Sequence, residues 1–174
     1  MKDYLILLSV GKDRPGIVER VSTFLFEHGA NIEDSRMAAM GGCFSIMTLF
    51  SCEQKDSEII RNELSLLETV GLSTSLHAAE NPAAGPGQAM MPLYVDVRAM
   101  DHPGIVRKVV KTLHRFDINI LSLDTRVARA PLSGVDLFDL SIEGAVPAGK
   151  RIVEIKAALF ELASEMDLDL SFRK

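Results

Sequence analysis

The sequence predicts an α+β protein made of two ferredoxin-like βαββαβ modules in tandem, each an antiparallel sheet with helices on one face. Three observations carry this. A long segment occurs twice: Asp13, Pro15, Gly16, Ile17, Val18, Val21, Leu25, Asn31 and Ile32 return at a constant offset as Asp101, Pro103, Gly104, Ile105, Val106, Val109, Leu113, Asn119 and Ile120. Around each copy the apolar periodicity runs strand, helix, strand, strand, helix, strand. Between them, residues 81–88 hold two prolines and two glycines with no apolar period, as a linker does. The expected boundaries are 1–79 for the first module, 80–91 for the linker and 92–174 for the second.

In the first module, residues 4–10 form an unbroken apolar run and read as a buried strand. Residues 15–28 read as an amphipathic helix with Ile17, Val18, Val21, Phe24, Leu25 and His28 on one stripe, closed by a left-handed cap at Gly29. Residues 31–40 are the second strand, Gly41-Gly42 a hairpin turn and residues 43–50 the third strand. Phe44, Ile46, Thr48 and Phe50 share one face of it. Met47 and Leu49 make the other face apolar too, so the second module or a second chain is expected to cover it. Asp56 or Ser57 is expected to cap a helix running to about Val70, with Ile60, Leu64 and Leu67 inward. Gly71 closes it, and residues 72–77 form the fourth strand.

The second module repeats this order. Leu93, Val95, Val97 and Ala99 alternate with Tyr94, Asp96 and Arg98, giving a strand with one polar face. Residues 103–116 are a helix with Ile105, Val106, Val109, Val110, Leu113 and Phe116 inward. Residues 118–128 are a long strand whose extra length calls for a bulge or a longer hairpin. Residues 129–134 read as the turn, 135–142 as a strand and 144–149 as a loop. Ile152, Ile155, Leu159, Leu162 and Met166 mark the last helix, and residues 168–172 the last strand.

The repeated Asp-x-Pro-Gly has its own chemistry. A residue before proline stays extended, and Pro15 suits the first helical position. Gly16 and Ile17 then carry N–H groups without helical partners, at the positive end of the helix dipole. With no side chain at Gly16, a carboxylate can approach that backbone. Asp13 could cap the helix or hold a cation beside the anion. A loop offering both signs suits a zwitterion such as a free amino acid. The same four residues also make an ordinary strand-to-helix turn; their recurrence with Asn-Ile at a fixed distance favours binding.

Composition narrows the classes. The chain has 174 residues, 47% of them apolar, and a formal net charge of −5, so it is not a general polyanion binder. Neither a signal peptide nor a membrane-spanning run is read from the sequence, which places it in the cytoplasm. Cys43 and Cys52 sit at odd spacing on one strand and read as reduced filler. Four histidines and two cysteines lack metal-ligand spacing, and no cofactor is called for. Nothing brings Ser9, Ser122 or Cys43 to a base as a nucleophile requires, so Asp101-His102 reads as turn chemistry rather than catalysis. Arg107, Lys108, Lys111 and Arg115 form a basic stripe, with Arg126 and Arg129 beyond. The acidic balance and few aromatics argue against direct nucleic-acid binding, and the stripe could instead dock an acidic protein.

The twice-repeated Asp-x-Pro-Gly-Ile-Val helix followed by Asn-Ile resembles the ACT domain, a family of small amino-acid-sensing regulatory modules that pair side by side or face to face. Gly29-Ala30-Asn31-Ile32-Glu33-Asp34-Ser35-Arg36 with Met37, Ala38 and Gly41 resembles more closely the tandem-ACT group that includes the glycine cleavage system transcriptional repressor. The resemblance implies an effector between the loop after the first strand and the second strand. In this chain that means Asp13, Arg14, Pro15, Gly16 and Ile17 with Asn31 and Ile32, and Asp101, His102, Pro103, Gly104 and Ile105 with Asn119 and Ile120. The exchange of Arg14 for His102 sets the two sites apart. It further implies a glycine- or serine-type effector, homo-oligomers, no enzymatic activity, and action on a protein partner that regulates transcription. The rival reading is a pairing scaffold whose ligand site has been lost.

Overall fold

The computed structural model describes residues 2–82, 90–129 and 134–173. The chain divides into two compact units, Met1–Gly85 and Pro86–Lys174. Most of the expected linker (83–89) and part of the second hairpin turn (130–133) lie outside the described residues.

The first unit contains β1 (Lys2–Lys12), α1 (Ile17–Glu27), β2 (Asn31–Met40), β3 (Cys43–Glu53), α2 (Gln54–Glu63), α3 (Ser65–Glu68) and β4 (Leu72–Ala79). Its strands lie in the order β2-β3-β1-β4, all antiparallel. The second contains β5 (Met90–Met100), α4 (Ile105–His114), β6 (Asn119–Arg129), β7 (Asp136–Pro147), α5 (Ile152–Met166) and β8 (Asp169–Arg173), in the order β6-β7-β5-β8. This is the expected ferredoxin-like arrangement, twice over. β2 and β6 are edge strands and stand exposed along nearly their whole length. Among the described residues no helix is long and apolar enough to cross a membrane.

Each unit has its own core, because each sheet has one face to bury against its own helices. In the first, Leu5, Leu7, Ile46 and Phe50 meet Ile17, Val21, Phe24, Leu25, Ile60 and Leu67. In the second, Val95, Val97, Leu140 and Ile142 meet Val109, Leu113, Ile155 and Leu159. Gly29 ends α1 as expected: its φ is 69°, its N–H donates to the Phe26 carbonyl at 3.1 Å, and that of Ala30 to Leu25 at 3.0 Å. Asp117 does the same for α4 at φ 57°, with its carboxylate on Lys150 Nζ at 2.8 Å.

Several elements depart from expectation. α1 starts at Ile17; Gly16 is its N-cap, at φ 90°, and no side chain caps it, so Pro15 lies in the turn and Asp13 is not the cap. The second helix of the first unit begins earlier, at Gln54, and breaks at Leu64 into α2 and α3. Ser57 does not cap it; its buried hydroxyl lies 2.8 Å from both Asp3 Oδ2 and the Gln54 carbonyl oxygen and donates its one proton to either. Residues 144–147 continue β7 instead of forming a loop. Ideal Cβ atoms explain the glycine: one placed on Gly144 would lie 2.8 Å from Ile118 Cγ2. The bulge expected in β6 is present between Ile120 and Ser122, but β2 has one at the same place, between Ile32 and Asp34, so it belongs to the fold and not to the extra length.

One feature of the first core has no counterpart in the second among the described residues. The hydroxyls of Ser9, Thr48 and Thr74 are buried without a hydrogen-bond partner. Ser9 and Thr74 face each other across β1 and β4, and Thr48, opposite Leu7, is diagonal to Ser9 on the same face. The same register positions in the second sheet hold Val97, Ile142 and Leu170, all buried.

Candidate functional site

β1 and α1 are joined by the turn at residues 13–16, and its position is fixed by the backbone. The Asp13 N–H donates to the Gly42 carbonyl at 2.9 Å, tying the loop to the β2–β3 hairpin; the Asp101 N–H does the same to Asp136 at 2.9 Å. Gly16 and Gly104 have φ values of 90° and 102°, a region that strongly favours glycine, and a Cβ on either would meet nothing within 4 Å. The first helical bond of α1 is Arg20 N–H to the Gly16 carbonyl at 2.9 Å. The N–H groups of residues 17–19 have no partner inside the helix, and the backbone at Gly16 borders open space.

In the first unit that space is a cavity of about 280 Å3 lined by Arg14, Pro15, Gly16, Ile17, Glu19, Arg20, Val70 and Leu72. It falls just below the roughly 300–1,000 Å3 of pockets that take drug-sized ligands, so a small molecule suits it. The Arg14 guanidinium donates to the Val70 carbonyl and thereby joins the loop to the end of α3. His102 makes no such reach: its Nδ1 lies 3.3 Å from the carbonyl of its own neighbour Pro103. Two cations, one carboxylate and the helix mouth therefore surround one cavity. Asp13 is not among its lining residues, and Glu19 is the acidic group that is. Among the described residues no cluster of three or more His, Cys, Asp or Glu could hold a metal.

The second-strand residues do not join this cavity within a unit. Asn31 is level with Ser51 on β3, which is level with Tyr4 on β1, whereas the loop follows Lys12, level with Cys43. From Tyr4 to Lys12 is about 26 Å at the usual strand rise. Asn119 and Ile120 are likewise at the far end from Asp101, His102, Pro103, Gly104 and Ile105, since Asn119 pairs with Ala145 and Ala145 with Pro92. The Asn31 amide already donates to Glu33 Oε1 at 3.1 Å, and Ser51 Oγ donates to the same oxygen at 2.7 Å. Those two bonds, Ser51 first, hold the Glu33 carboxyl below its ordinary range. Sequence reading missed Glu19, Arg20, Val70 and Leu72. Glu19 and Arg20 fall outside the apolar stripe of this helix, and nothing local tells a polar first turn in solvent from one that lines a cavity.

Comparison with known proteins agrees with this architecture. The family model for the ACT domain matches residues 3–77, which is the first unit. Residues 3–77 therefore form an ACT domain. The glycine cleavage system transcriptional repressor of Escherichia coli K12 is 26% identical over 171 residues, spanning 94% of this chain and 86% of that protein. A solved structure of an unknown protein from Galdieria sulphuraria superposes with a TM-score of 0.84 at 30% identity, covering 99% of this chain and 98% of that one. A second, provisionally assigned as a glycine cleavage system transcriptional repressor, superposes with a TM-score of 0.71 at 23% identity over 99% of this chain and 97% of its own, which shows the shared tandem fold.

Proposed function

We propose that this ACT-domain protein is a non-enzymatic regulator that binds a small free amino acid, of glycine or serine type, at the mouth of α1. The cavity lined by Arg14, Gly16, Ile17, Glu19 and Arg20 is the observation that carries this. The carboxylate is received by the free N–H groups at Gly16 and Ile17 and by Arg14, whose fork suits a planar anion. Glu19 holds the ammonium. The glycine or serine type is taken from the similarity to the Escherichia coli glycine cleavage system repressor, since the cavity volume admits larger side chains as well. Asn31 and Ile32, at the far end of an exposed edge strand, reach such a ligand only from a neighbouring module. The bound state then acts through a protein partner in transcriptional control of amino-acid metabolism, as the similarity to the Escherichia coli repressor suggests. The ligand shifts that contact only by binding two arrangements unequally.

The test is calorimetry of the full chain against the twenty amino acids, for wild type and Gly16→Asp. The substitution fills the mouth, adds a negative charge and forces a non-glycine residue to φ 90°, at about 1–2 kcal/mol of backbone strain. Small zwitterions are expected to bind the wild type and not the variant. Equal affinity for both proteins would remove the loop from the site.

A further inference from the structure

Among the described residues, the buried side-chain oxygens without a hydrogen-bond partner are those of Ser9, Thr48 and Thr74, and all three lie in the first unit. An orphaned buried hydroxyl is destabilising and calls for a reason of its own. The register supplies one for Ser9 and Thr74. Leu72, level with Gly11, lines the cavity at the mouth of α1; Thr74, level with Ser9, is one row further along the same face of the sheet. Side chains two residues apart on a strand share a face and stand about 7 Å apart. Ile17 and Leu72, both buried and both part of the core, form the inner wall of the cavity. Leu72 leans over Gly11, where an ideal Cβ would lie 2.8 Å from its Cδ2. The row behind Leu72 therefore carries two hydroxyls with nothing to bond. Thr48, level with Leu7 on β3, is a further row away.

The second unit serves as an internal control. At the places of Ser9 and Thr74 it has Val97 and Leu170, both buried. At the place of Glu19 it has Arg107. The hydroxyls behind the mouth and the acid beside it thus occur together in one copy and are replaced together in the other. A requirement of the fold alone would appear in both.

We propose that Ser9 and Thr74 are specificity residues that receive the side-chain hydroxyl of a bound amino acid, so that the effector is a hydroxy amino acid and not glycine. This rests on the reading of the α1 mouth as an amino-acid site. With the carboxylate on the helix N–H groups and the ammonium on Glu19, the side chain is the substituent left to meet the wall of Ile17 and Leu72. Leu72 turns to another staggered well to let it pass. Each hydroxyl can both donate and accept, so one incoming O–H satisfies the pair. Ser9 and Thr74 give up no bond to water in doing so, which favours the exchange. Glycine leaves both as they are.

Calorimetry of the full chain against isosteric pairs tests this: serine with 2-aminobutyrate, and homoserine with norvaline for a reach one carbon longer. In at least one pair the hydroxylated member is expected to bind wild type about tenfold more tightly. Ser9→Ala and Thr74→Val place apolar groups where the second sheet already has them. Both are expected to bring that ratio toward one while leaving the affinity of the hydroxyl-free member and the circular dichroism unchanged. If one variant loses its circular dichroism, the other decides. Equal affinity within both pairs overturns the hydroxyl contact but leaves the mouth as an amino-acid site. A preference that survives in the folded variants overturns it too. If no amino acid binds wild type, the reading of the mouth itself falls, and this inference with it.

Discussion

Thr48→Val should stabilise the first unit. The Thr48 hydroxyl is buried at 1% exposure with no partner, and Val has the same shape without the oxygen. An unsatisfied buried hydroxyl costs about 1–3 kcal/mol, while an isosteric apolar group leaves no cavity. The substitution should therefore raise the stability of this unit by about 1–2 kcal/mol. For a domain of this size that corresponds to roughly 4–8 °C in Tm per kcal/mol. Urea unfolding of wild type and variant, followed by far-ultraviolet circular dichroism and fitted as two transitions, reads the change in the first unit. Thr48→Ser, which keeps the hydroxyl and loses a methyl, is the opposing control and should destabilise. A loss of stability in Thr48→Val would refute the reasoning. It would mean that the hydroxyl is satisfied, as by a buried water shared with Ser9 and Thr74.

His28 gives a pH dependence of known sign. Its Nδ1 is 2.6 Å from the Phe24 carbonyl and its Nε2 2.9 Å from Glu63 Oε2, so only the imidazolium donates to both. Burial opposes the charge, but the bonds to Glu63 and Phe24 and the charges of Glu63 and Glu27 outweigh it, and the imidazole's proton affinity is raised above its ordinary value near 6.5. That stabilisation is fully present below about pH 6.5 and is lost as pH rises through the raised folded value. Urea midpoints across pH 5.5–9 should show the loss in wild type and not in His28→Gln. Gly11→Ala should cost about 1–3 kcal/mol, since its Cβ would sit 2.7 Å from the Gly71 carbonyl oxygen, which is backbone and can move only with the β1–β4 pairing. The same push widens the Val70 side of the cavity, so amino-acid affinity should fall with it in calorimetry. Calorimetry of the wild type should also give one amino acid bound per chain, because the second loop has no acid where Glu19 stands.

Much of the fold was legible because its punctuation is local. Asn31 to Met40 was bounded correctly by Gly29 before it and Gly41-Gly42 after it, three glycines that all take positive φ. The break at Leu64 was not legible, since the stretch around it has neither proline nor glycine and keeps helical periodicity. In the sequence Gly144 reads as the start of a loop. Its real cause is three-dimensional: Ile118 occupies the space that a side chain would need, and in the first unit the same pair of places holds Phe50 and Ala30, large and small exchanged. The candidate site was legible only in part. A constant offset between Asp-x-Pro-Gly and Asn-Ile suggests proximity, but a helix lies between them. It carries the chain back along the sheet, so β2 begins at the end opposite the loop.

The two copies separate what a repeat establishes from what it does not. Positive φ at Gly16 and Gly104, the Asp13 and Asp101 N–H bonds to the hairpin, and the bulge after Asn-Ile occur in both units, and all are backbone requirements of one fold. Recurrence of the loop therefore supports its geometry and says little about a ligand. The case for binding rests instead on what differs around that geometry. Arg14, Glu19 and Arg20 in the first unit correspond to His102, Arg107 and Lys108 in the second, and Lys108 is engaged by Glu165 at 2.9 Å. Both signs of charge meet in the first turn of α1; in α4 the place of Glu19 is taken by Arg107, and the acid nearby, Glu165, is already paired with Lys108. On the function proposed above, a zwitterion suits the first arrangement and not the second, so the second unit keeps the loop geometry without the charge pattern.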